Sequence, residues 1–75
     1  MNTNFLVIPT GVKFKDGRLM WQMIDLNKNQ IGVIWYRPTF PEGEQYAHEN
    51  IDGDRVHGFE TIDDAMNALW ESHTN

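Results

Sequence analysis

Apolar positions follow two kinds of pattern along this chain. Between residues 5 and 36 they come in short runs that alternate with polar positions, and from Ile62 to Trp70 they recur every three to four residues. The first spacing belongs to half-buried strands and the second to an amphipathic helix. Residues 19–37 (LMWQMIDLNKNQIGVIWYR) hold two of the three tryptophans and read as two strands folded on each other. Residues 5–8 form a shorter apolar run closed by Pro9, which removes a ladder donor and marks an edge strand or a strap across the core. Two alternating runs, 12–15 and 18–21, flank Asp16-Gly17, the dipeptide favoured in a two-residue type I′ turn. That hairpin sets Lys15 opposite Arg18, Phe14 opposite Leu19 and Val12 opposite Trp21. Its core face gathers Val12, Phe14, Leu19, Trp21 and Met23; its solvent face gathers Lys13, Lys15, Arg18, Met20, Gln22 and Ile24.

The next turn, at residues 27–30, admits two registers. A two- or four-residue loop pairs Leu26 with Ile31 and turns Ile34 and Tyr36 to the core. A three-residue loop with Asn29 left-handed pairs Leu26 with Gln30 and turns Ile31, Val33 and Trp35 there instead. A slip of one residue exchanges the two sets, and the second, more apolar set is the one expected inside. Arg37-Pro38 ends this strand. Residues 38–58 read as one long acidic loop, of the length that marks a functional or mobile segment in so small a domain. Within it, residues 45–48 are a candidate fourth strand.

Residues 61–72 carry agreeing helix signals. Thr61 is the cap, Asp63 and Asp64 occupy the first turn where the helix dipole favours anions, and Ile62, Ala65, Met66, Leu69 and Trp70 form one apolar stripe. Residues 1–4 show no burial pattern and are expected to fray. The expected fold is a single α+β domain over 1–75: a three- to four-stranded antiparallel sheet of β-hairpins packed on one C-terminal helix.

Composition narrows the chemistry. A chain of 75 residues buries only about 60–65% of its unfolded surface, so an aromatic-rich core or a partner has to complete it. Cysteine is absent, which removes disulfides and thiolate metal sites. The apolar run near the start is too short for a signal peptide or a membrane span, which makes the cytoplasm the expected location. Net charge is −5, and it is unevenly spread: residues 1–37 carry five cations and two acids, residues 38–75 one cation and nine acids.

Residues 25–29 (DLNKN) match the first three ligand positions of a calcium loop, but Gln30 replaces the needed glycine and Tyr36 the bidentate glutamate. Asp52-Gly53-Asp54 fails in the same way, with Phe59 in the last position. Both read as turns. His48, His57 and His73 lack helical zinc spacing, although His48 and His57 share the long loop; Ser72 is the lone serine, and no phosphate-binding glycine loop is present. No catalytic residue, metal or cofactor is expected, and hence no enzyme.

Basic residues beside an aromatic on the second sheet face are what phosphate neutralisation and base stacking require. Three antiparallel strands followed by Gly58-Phe59-Glu60-Thr61-Ile62-Asp63-Asp64-Ala65 and then Ala68-Leu69 resemble the AP2-type and integrase arm-binding domains. In those domains the last strand runs into such a helix start, and the sheet binds DNA. The resemblance implies that Lys13, Lys15, Arg18, Gln22 and Arg37 face DNA. The small size, missing chemistry and acidic second half are similar to accessory proteins of bacteriophages and mobile elements. The leading expectation is therefore a non-enzymatic protein that docks on a protein partner through its acidic loop and helix, with Glu42, Glu44, Asp52 and Asp54 as contact residues. The nucleic-acid face is the alternative, and a homodimer stays open.

Overall fold

The computed structural model describes residues 4–74. The strands β1 (Phe5–Pro9), β2 (Leu19–Asp25), β3 (Gln30–Tyr36), β4 (Tyr46–Asn50) and β5 (Arg55–Phe59) precede the helix α1 (Ile62–Thr74). They form one sheet in the order β1-β2-β3-β4-β5, each strand antiparallel to its neighbour in sequence. The helix lies across β3, β4 and β5. The α+β class is as expected, with five strands rather than three or four, because the stretch read as one long acidic loop holds both β4 and β5. No helix among the described residues is long and apolar enough to cross a membrane. The fraying expected of residues 1–4 lies, Asn4 apart, outside the described residues.

The Asp16-Gly17 hairpin does not form. β2 pairs instead with β1, Pro9 opposite Trp21 and Phe5 opposite Asp25. β1 brings Phe5 and Val7 to the core under α1, in the place that Val12 and Phe14 of the expected hairpin would have taken. The Gly17 amide donates to the Phe14 carbonyl at 3.1 Å, so Lys15 and Asp16 are the centre of the turn and Gly17 follows it at a φ of +87°. Val12 and Leu19 accordingly stay 44% and 43% exposed, outside the core assigned to them, and Phe14 lies on the far side of the sheet.

The β2–β3 turn is three residues long but sits one position earlier than expected. The Lys28 amide donates to the Asp25 carbonyl, the Asp25 amide to the Asn29 carbonyl, and Lys28, not Asn29, is left-handed. The register then shifts: Ile24 faces Gln30, but Met23 faces Gly32. This β-bulge at Ile31 inserts one residue and reverses the alternation. Ile31 and Ile34 are therefore both buried, while Val33 and Trp35, expected inside, turn to the opposite face.

The core brings Phe5, Met23, Ile31 and Ile34 of the sheet against Ala65 and Leu69 of the helix, with Trp21, Phe59, Met66 and Trp70 at its rim. Met23, Ile34 and Leu69 are almost wholly sequestered, each contributing about 1.5–3 kcal/mol by leaving water. Thr61 caps α1 as expected, its hydroxyl accepting the Asp64 amide at 3.1 Å. Gly32 lets β4 pass close against β3: a Cβ there would overlap the Glu49 carbonyl oxygen and stand 3.1 Å from Asn50 Cα.

Candidate interaction face

One face of the sheet is covered by α1; the other is open. Since Phe5 and Val7 meet the core, alternation turns Leu6 and Ile8 outward, 53% and 43% exposed. On β2 the outward positions are Met20, Gln22 and Ile24, facing Trp35, Val33 and Gln30 across the ladder. Trp35 lies on the central strand, and it organises this face.

Two loops fold toward the indole. Residues 10–18 bring Phe14 to 5.5 Å from its ring. Asp16 accepts both the amide and the Nε–H of Arg18 at 3.1 Å, which fixes that guanidinium 4.4 Å above Phe14. The amide bond is the main reason the Asp16 carboxyl titrates below its ordinary range. Residues 37–45 form the second loop. The Arg37 amide donates to the Gln45 carbonyl at 2.7 Å, and the Gln45 side chain ties down the Pro38 and Phe40 carbonyls. Phe40 then lies 5.1 Å from the Arg37 guanidinium and 5.5 Å from the His57 ring. The loops meet: a Cβ on Gly17 would stand 3.3 Å from Pro38 Cγ.

Three guanidinium groups converge on Trp35, with Arg18 at 5.8 Å, Arg37 at 5.9 Å and Arg55 at 5.7 Å from its ring. Each such contact is worth about 0.5–1 kcal/mol at an exposed site. Two of the charges are matched within the chain, Arg18 by Asp16 at 2.8 Å and Arg55 by Glu49 at 2.6 Å. Arg37 has no ion pair among the described residues. Burial first, then its like-charged neighbours Arg55 and Arg18, lower its pKa, yet a guanidinium stays protonated in any folded protein. Trp35 Nε1 and Arg37 Nε are buried and have no hydrogen-bond partner among the described residues. A buried donor left this way costs about 1–3 kcal/mol.

The structure joins Arg18, Gln22 and Arg37 on one face, as sequence reasoning grouped them. Lys13 and Lys15 are exposed on the β1–β2 loop rather than on a strand. Phe14, Trp35, Phe40 and Arg55 were not assigned to it. Arg55 was legible in principle: Asp52-Gly53 between two short alternating runs is a hairpin signal, and it lies between β4 and β5.

The acidic quartet is not one surface. Glu42 and Glu44 lie in the β3–β4 loop, and Asp52 and Asp54 lie beyond the other end of the five-residue strand β4, which spans about 16 Å. The Asp52 and Asp54 amides both donate to Asn50 Oδ1, at 3.0 and 2.9 Å, so that segment is a closed turn. Asp25 does the same for the Asn27 and Asn29 amides, which lowers its pKa, the Asn29 bond first. Among the described residues no group of three or more histidines and carboxylates is arranged to hold a metal ion. His48 and His57 stand on opposite faces of the sheet, His48 beside Phe59 and 5% exposed, His57 beside Phe40. An apolar hollow of about 260 Å³ lined by Pro9, Val12, Leu19 and Met20 adjoins the β1–β2 loop.

Compared with known proteins, the chain matches no family model, and nothing among curated proteins or solved structures resembles it significantly.

Proposed function

We propose that this is a small, non-enzymatic docking protein that engages a protein partner through the open face of its sheet. The observation that carries the reading is the cluster of Trp35, Phe14, Phe40 and three arginines on the same open face as the exposed Leu6 and Ile8, which lie two strands away on β1. Tryptophan and arginine anchors dominate protein–protein binding energy, and surrounding apolar contacts exclude water from them. The acidic loop–helix surface is replaced in this reading, since its four carboxylates occupy two separate ends of β4.

A photo-crosslinking amino acid at Ile8, compared with one at Asn67 on the exposed side of α1, tests the proposal in a lysate of the source cells. A discrete protein adduct from Ile8, absent from Asn67, is expected; adducts from Asn67 alone would refute it.

A nucleic-acid reading of the same face has one specific support, the stacking of arginines on an indole with Lys13 and Lys15 beside it. The AP2-type resemblance implies the same surface. This reading requires affinity for DNA or RNA that falls steeply as salt is raised.

A further inference from the structure

Resting on the docking reading, we propose that the arginine layer over Trp35 is a subsite for a single carboxylate of the partner protein, a Glu or Asp side chain, with Arg37 taking its charge. Three features of the layer carry this. The first is stoichiometry: three guanidiniums share two internal carboxylates, and the unmatched one belongs to Arg37. The second is the pair of donors, Trp35 Nε1–H and Arg37 Nε–H, that are turned away from bulk solvent and that no described residue satisfies. A swing of the Arg37 side chain off Trp35 and Phe40 would free its Nε–H, and a carboxylate, an acceptor at both oxygens, meets an arginine Nε–H and its neighbour side-on. The third is order. Asp16 fixes Arg18, Glu49 fixes Arg55 at 2.8 Å from its Nε, and Gln45 fixes the loop that carries Phe40. Arg37 itself apart, little conformational freedom is left to lose when a ligand arrives.

The local charge selects the ligand class. One unmatched cation suits one carboxylate. A run of phosphates would press against Asp16 and Glu49 at the layer itself and against a chain of net charge −5. Leu6 and Ile8, exposed further along the same face, call for apolar side chains elsewhere on the ligand, which a polypeptide supplies and a sugar–phosphate strand does not. A second copy docked face to face across a two-fold axis is disfavoured too, because Trp35 lies on the central strand and the two arginine layers would meet.

The test is ¹⁵N NMR of the full chain titrated with three probes: a blocked alternating leucine–glutamate peptide, its leucine–glutamine counterpart, and oligothymidylate. The glutamate peptide is expected to shift the Trp35 indole and Arg37 Nε resonances and to bind at least ten-fold more tightly than the glutamine peptide. Arg37→Gln should remove that ten-fold preference. If that variant loses its dispersed spectrum, Trp35→Phe takes its place and should weaken the glutamate peptide alone. Equal binding of the two peptides, or no binding of either, overturns the subsite; tighter binding of oligothymidylate overturns it in favour of nucleic acid. A concentration-dependent dimer dissolved by the glutamate peptide would show that the chain's own acids fill the site, which also overturns it. Crosslinks from Ile8 combined with equal peptide binding remove the subsite and leave docking intact, whereas crosslinks from Asn67 alone remove docking itself.

Discussion

Gly32→Ala is the substitution this fold should tolerate least for its size. The added methyl would overlap the Glu49 carbonyl and press on Asn50 Cα at 3.1 Å. Both atoms are backbone of β4, so no side-chain rotation relieves the contact. β4 is held between β3 and β5 and lies under α1, with Ala47 and His48 buried along it, so it cannot yield alone. Overpacking of this kind costs about 1–3 kcal/mol when side chains absorb it, and a backbone collision belongs at the upper end or beyond, about 3 kcal/mol. A domain of this length is stable by about 4–11 kcal/mol in all, and each kcal/mol lowers its melting temperature by about 4–8 °C. The expected loss is therefore about 12–24 °C, measured by far-ultraviolet circular dichroism with urea titration as the second readout. Gly43→Ala is the control: no atom lies within 4 Å of its added Cβ, but its φ of +85° is left-handed, a strain of about 1–2 kcal/mol. A Gly32→Ala protein that melts within a few degrees of the parent, or above Gly43→Ala, refutes the argument.

Leu69→Ala should cost about 2–5 kcal/mol because Leu69 is fully enclosed. Trp70→Ala should cost less, since Trp70 is half-buried at the rim, 5.6 Å from Phe5; thermal melts in which the order reverses would contradict this. Thr61→Ala should lose about 1 kcal/mol and Thr61→Asn very little, because the hydroxyl caps the Asp64 amide; denaturant titration that finds the two equal would discount the cap. Burial lowers the His48 pKa from 6.5. The unfolded chain therefore binds the proton first, and stability is lost as pH falls from that value toward the folded-state pKa. Melting temperatures should decline across that window in the parent and stay level in His48→Phe; a level profile in the parent would show that His48 charges without penalty.

The start and apolar face of the helix were legible in the sequence because their signals are local, although α1 runs to Thr74 rather than ending at residue 72. The Thr61 cap and the stripe from Ile62 to Trp70 lie within ten residues of one another. Strand pairing was legible only where a turn alone decided it. Asp16-Gly17 is a sound hairpin signal, but the choice of partner for β2 was made by what Phe5 and Val7 bury, and that depends on a helix some sixty residues away. The bulge at Ile31 left no mark in the spacing, so the face carrying Trp35 was misassigned. Two of the three arginines over Trp35 were visible as charge, Arg18 and Arg37. The rest was hidden, Arg55 inside a stretch whose acidity made it read as loop, and Trp35 by its apolar character. The acidic residues grouped by composition separated once β4 stood between them.

Because each strand pairs with the one made just before it, the sheet can be assembled hairpin by hairpin as the chain leaves the ribosome, while its lid comes last in the order β1 to α1. At 5–20 residues per second, Leu69 is polymerised about 2–8 s after Ile31. Until α1 closes over them, Met23, Ile31 and Ile34 have nothing above them, and the incomplete sheet is greasy on both sides. Any step that separates the sheet from its helix, in synthesis or in refolding, therefore exposes an aggregation-prone surface.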